Sequence, residues 1–205
     1  MVDPESIMSI PKSGLEDASR ALNTDDIPQL VEWLSSKDDD LRYQAFLLLQ
    51  SRSAFSDDVY PFWDAFRNKL KSKNSYQRSI GLMLIAENVK WDTQNKIEDT
   101  IGEYLACIDD PKPITVRQCI QSLGRVASAR PALNDIIAST LVSFDVMAVK
   151  ETMRKLILLD ILNVLLIIQQ EQKTDEIESF ISESLSGDIL DKKSKKQIEA
   201  LLTCR

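Results

Sequence analysis

An arginine returns four times along this chain at nearly constant spacing: Arg42, Arg78, Arg117 and Arg154 stand 36, 39 and 37 residues apart. The surroundings repeat with it. Three residues later comes Ala45, Gly81, Ile120 or Ile157, and six later comes Leu48, Leu84, Leu123 and then, breaking the series, Asp160. A recurrence of this length accommodates two helices and two turns, and one such pair cannot cover its own apolar face, so copies must stack. The prediction is an all-α fold, an α-α superhelix of about four to five antiparallel helix pairs.

Apolar periodicity supplies the helices. Asn74 to Trp91 is the clearest: Asn74 and Ser75 can accept from first-turn amides, and Tyr76, Ile80, Met83 and Leu84 recur at helical spacing, with Leu82, Ile85 and Val89 widening the arc. So wide an arc needs neighbours on more than one side. Gly81, in mid-helix among large residues, marks close approach of another helix. Val59, Phe62, Trp63, Phe66 and Leu70 form a similar stripe before it, and Asp92 is the expected N-cap of a helix from Thr93 to Ile108. Leu133, Ile136, Ile137, Leu141 and Phe144 precede a long helix near Val149 to Gln170. A last pair buries Ile177, Phe180 and Ile181, then Ile198, Leu201 and Leu202, with the charged DKKSKK as lead-in to a helix from Gln197. Residues 1–14 read as a loose N-terminal arm and residues 15–205 as a single domain. No sustained period-two alternation occurs, so strands are not expected.

Composition narrows the function. The formal net charge of -7 disfavours a whole-molecule attraction to nucleic acid or anionic lipid, although residues 112 to 155 are locally richer in Lys and Arg. The most apolar run, Leu156 to Ile168, is interrupted by Asp160 and Asn163 and is too short for a bilayer, so no membrane association is expected. Three scattered cysteines, Cys107, Cys119 and Cys204, fit a reducing compartment, and no secretion signal is visible, which together point to the cytoplasm. With no His there is neither the usual general base nor the commonest metal ligand. No glycine-rich phosphate loop is present. Catalytic residues, cofactor and metal are therefore all expected to be absent. The acidic pairs Asp25/Asp26, Asp57/Asp58 and Asp109/Asp110 stand where helix caps and turns belong.

With its early arginine and small-then-Leu positions, the second helix of each unit resembles those of HEAT and armadillo repeat proteins, over roughly Asp25 to Gln170. The resemblance implies the HEAT-like form of the helix-pair fold and a binding role, in which macromolecular partners, chiefly protein, lie along the concave face of the second helices. The segments NSYQRSIGLMLIAENVKWD and DDPKPITVRQCIQSL are similar to small bacterial HEAT-like proteins sometimes labelled "SufBD protein". That label implies iron–sulfur assembly, yet three scattered cysteines without His make no cluster-ligand set. KWDTQN, residues 90–95, resembles the Trp-Asp-Thr stretch of HEAT-like alkylpurine DNA glycosylases, whose catalytic carboxylate lies four residues after the Trp. Here that position is Asn95, which carries no charge to stabilise a cationic transition state.

These readings give Arg78, Glu87, Trp91, Asn95, Arg117, Gln121, Arg125, Arg154 and Asp160 as candidate partner-binding residues. The four arginines either form a ladder for phosphates and acidic side chains or make repeat-to-repeat ion pairs with turn carboxylates. Trp91 is either a helix-end core residue or a groove aromatic. Asp160 must pair with Arg117 or Arg125, or face water. The alternative function is a nucleic-acid-binding or glycosylase-like protein with a degenerate active site.

Overall fold

Short polar residues decide where the helices begin. In the computed structural model, which describes residues 2–203, Asp3 accepts from the Ser6 amide and starts α1 (Pro4–Met8). A single helical turn leads into α2 (Leu15–Ala21), and a capping box made by Asn23 and Asp26 leads into α3 (Ile27–Trp33), with Pro28 where a missing amide costs nothing. Asp38 caps α4 (Asp39–Ser53) by accepting from the amides of Asp40 and Leu41. Then follow α5 (Trp63–Leu70), α6 (Ser75–Asn88), capped by Asn74, and α7 (Lys96–Leu105). After them come α8 (Pro113–Ala129), α9 (Asn134–Val142), α10 (Glu151–Glu171), α11 (Asp175–Ser186) and α12 (Lys192–Thr203). No strand occurs among the described residues.

The chain divides into two compact units, one ending at Glu103 and one starting at Tyr104. In the first, α4 lies against α1, α2, α3 and α6, and α5 packs along α6. Its core is Ile27, Leu30, Leu34, Leu48, Leu49, Trp63, Phe66, Leu82, Leu84 and Ile85, all fully buried. At Gly81 the α5–α6 contact is so close that an added Cβ would lie 2.7 Å from the Phe66 carbonyl oxygen and 3.1 Å from Lys69 Cβ. In the second unit α10 is central and touches α8, α9, α11 and α12. Burying Ile157, Ile161, Leu162 and Leu165 in those contacts is why α10 is so apolar.

Several local expectations are corrected. The residues read as a loose arm carry α1, whose Ile7 is buried, and Gln44 Nε2 donates to the Ile10 carbonyl at 2.9 Å. Asp92 does not begin a helix at Thr93: Asn95 adopts a left-handed φ of 56°, and α7 begins at Lys96. Asp92 still caps it at a distance, accepting from the Lys96 and Ile97 amides at 2.9 Å each. DKKSKK is not a lead-in. Asp191 accepts from the Ser194 amide at 2.8 Å, and the lysines that follow form the first turns of α12. Among the acidic pairs, Asp58 is no cap but binds Arg52 at 2.7 Å. Tyr76, Ile136 and Leu201, read as buried, are exposed. Cys107 and Cys119 are buried thiols outside any disulfide, and Cys204 lies outside the described residues.

At Glu103 the first unit ends in a charge cluster. Arg67 donates to its carboxylate from Nε and Nη2 at 3.2 and 2.9 Å, and Lys71 approaches to 3.0 Å. The hydrogen bonds from Arg67 and then Lys71 pull the Glu103 carboxyl from 4.5 to about 2.

Two outcomes follow from this packing. Gly81→Ala gains helix propensity but drives a methyl into backbone, so denaturant unfolding should show a net loss of about 1–3 kcal/mol. A depressed carboxyl stabilises above its unfolded pKa and ceases to do so as pH falls through its folded value. Glu103→Gln should therefore lower the melting temperature by a constant amount above about pH 5, and the difference from the parent should disappear as pH falls from 4.5 to about 2.

Candidate functional site

Residues three or four apart share a helix face, and Arg117, Gln121 and Arg125 follow one another on α8 at that interval. Asp160 meets them from α10. Its Oδ2 accepts from Arg117 Nε at 2.6 Å, and its Oδ1 accepts from Arg117 Nη2 at 3.2 Å and Gln121 Nε2 at 2.9 Å. Asp160 is only 7% exposed, so these donors are what allows a carboxylate at a position that is leucine in the other repeats. The bond to Asp160 in turn pushes the Arg117 guanidinium pKa above its ordinary value. Of the partners open at the sequence level, Arg117 is the one used. Gln121 and Arg125 keep exposed surface.

The other recurrent arginines behave differently from Arg117. Arg42 donates to the Ser36 carbonyl at 2.9 Å and pairs with Asp39 at 2.6 Å; Arg78 donates to the Ser72 carbonyl at 2.7 Å; Arg154 donates to the Met147 and Val149 carbonyls at 2.9 and 3.2 Å. Each folds back onto the turn that precedes its own helix and satisfies carbonyls there. At Arg42, Arg78 and Arg154 the recurrence thus makes a turn clamp inside the repeat, whereas Arg117 makes an ion pair with Asp160 of the next repeat.

On α6, Glu87 accepts from Gln50 Nε2 of α4 at 3.2 Å. Just beyond, Trp91 donates from its indole to the Ser53 carbonyl at 2.8 Å and Lys90 donates to the Ala54 carbonyl at 2.6 Å, so both close the C-terminus of α4. Trp91 is half-buried in that role. Asp92, 1% exposed, also accepts from the Tyr60 hydroxyl at 2.7 Å. A carboxylate so enclosed cannot meet a substrate, and Asn95 stands exposed at the left-handed bend. Two features went unforeseen. Asn88, fully buried, donates to Ser53 Oγ at 2.9 Å and the Leu84 carbonyl at 2.8 Å. The other is a cavity of about 890 Å³ between two turns of the first unit.

Among the described residues no group of three His, Cys, Asp or Glu could hold a metal ion, and no helix is long and apolar enough to cross a membrane. No family model matches the chain, and no curated protein matches it. Solved structures do. A designed armadillo repeat protein in complex with the peptide (KR)4 matches at TM-score 0.61 and 13% identity over 97% of both chains. A second designed armadillo repeat protein matches at 0.60 and 13% over 97% of this chain and 98% of its own, and an engineered protein at 0.56 and 14% over 98% and 96%. The fold is an all-α, armadillo-like helical repeat.

Removing Arg117 leaves Asp160 buried with Gln121 as its remaining side-chain donor in this group. Arg117→Ala should cost about 2–4 kcal/mol in urea unfolding, and the paired change Arg117→Met with Asp160→Leu should recover most of it. A double variant as unstable as the single one would show that packing, and not the charge pair, is at stake.

Proposed function

We propose that this chain is a non-enzymatic helical-repeat scaffold that binds a protein partner along the concave face of its second helices. The observation that carries the reading is the α8 face. There a part-buried Arg117–Asp160 pair fixes Gln121, and exposed Arg125 lies one turn further on, so that a fixed amide donor stands beside a cation on one helix face. Fixed donors bind with little loss of side-chain freedom. A designed armadillo repeat protein of the same fold was solved in complex with a peptide, which supports a peptide-like segment as the partner's contacting part. Half-buried Glu87 on α6 supplies an acidic group to the same class of surface, and Asp160 acts by holding Arg117 and Gln121. A cytoplasmic setting belongs to this proposal. Neither iron–sulfur assembly nor base excision gains support: no cluster-ligand set is present among the described residues, and Asp92 is enclosed as a cap.

The test is affinity capture from native lysate, with and without nuclease, using the parent chain and the variant Arg125→Glu. The proposal expects a stoichiometric protein that survives nuclease and is lost with the variant, while the variant keeps the parent's melting temperature. Capture that disappears on nuclease treatment would overturn it in favour of the nucleic-acid-binding alternative.

A further inference from the structure

In the first unit, the turn between α3 and α4 faces the turn between α5 and α6 across an open cavity of about 890 Å³. Its wall carries Lys37, Arg42, Lys69 and Lys71 against a single acid, Asp39. Two of the cations are neutralised: Arg42 pairs with Asp39 at 2.6 Å and Lys71 with Glu103 at 3.0 Å. The other two are not. Lys37 is exposed and meets no carboxylate, and the ammonium of half-buried Lys69 is held only by neutral oxygens, Ser35 Oγ at 3.1 Å and Gln77 Oε1. Gln77 cannot swing away, because its Nε2 donates to the Leu34 carbonyl at 2.7 Å.

An ammonium that loses water without gaining a carboxylate is destabilised, and burial followed by the positive charge of Arg42 pushes the Lys69 pKa down. The fold keeps this arrangement although Lys69 Cβ is also part of the Gly81 contact, which fixes the stem of the side chain. Two uncompensated positive charges at one cavity call for a ligand with two negative ones. A carboxylate offers one. A phosphomonoester is close to a dianion at neutral pH and presents three acceptor oxygens, enough for both ammoniums and a neighbouring hydroxyl. The exposed Tyr76 ring, with the Arg42 guanidinium 6.0 Å from its centroid, stands at the side of the cavity and leaves room for whatever bears the phosphate.

We propose that the cavity between these two turns is a binding site for a phosphomonoester group. This site is separate from the α8 face and does not depend on the scaffold reading.

Calorimetric titration of the full chain tests it with three probes: inorganic phosphate, a short phosphoserine peptide and the same peptide unphosphorylated. Saturable binding of a phosphorylated probe, absent for the unphosphorylated peptide, is expected. Lys69→Met and Lys37→Met should each weaken it about tenfold or more, the scale of a charge-assisted hydrogen bond, while Lys155→Met, at a lysine paired with Asp191 in the second unit, should leave it unchanged. Tighter binding of the phosphopeptide than of phosphate assigns the site to a phosphorylated protein, and the reverse assigns it to a free small molecule. Lys37 is exposed and without a partner, so its variant decides the matter even if Lys69→Met fails to fold. Failure of both phosphorylated probes to saturate, or binding by Lys37→Met equal to the parent's, would overturn the proposal.

Discussion

Everything in this fold depends on the fact that a helix pair has more apolar surface than it can cover alone. In the first unit α4 touches four other helices, and in the second α10 does the same. Among helices packed in this way, a polar group that is buried needs a partner. Asp160 is tolerated because Arg117 and Gln121 cross from α8 to reach it. Asn88 is tolerated because Ser53 and a carbonyl of its own helix accept from it.

The turns have a second requirement. Carbonyls in the turn after a first helix would lack partners, and a side chain from the following helix supplies them. Arg42, Arg78 and Arg154 meet it in the same way, and Trp91 and Lys90 do the equivalent for the end of α4. The arginine period thus records how each repeat is closed. Arg117 departs from the series because the acid on α10 competes for its guanidinium, and that departure produces the fixed donor group on which the binding proposal rests.

Periodicity made the repeat and the close approach at Gly81 readable from residues alone, since both follow from spacing and volume. Pairing of Asp160 with a nearby arginine was readable too, because a buried carboxylate has few alternatives. The start of α7 was not: Asp92 is a plausible cap for either helix start, and only the left-handed Asn95 decides between them. DKKSKK misled because its charge suggested a turn, whereas lysine is a good helix former and Asp191 caps the segment. The turn cavity was invisible for a different reason. Lys37 and Lys69 are far apart in the sequence, and only the stacking of one repeat on the next brings them to one wall.

The proposed binding role of the second helices is tested most directly by hydrogen exchange on the chain alone and in complex with its captured protein partner. Protection gained on α8 around Gln121 and Arg125, together with the part of α10 that carries Asp160, is the result this account predicts. Protection confined to the first helices, with α8 exchanging as it does in the free chain, would contradict it.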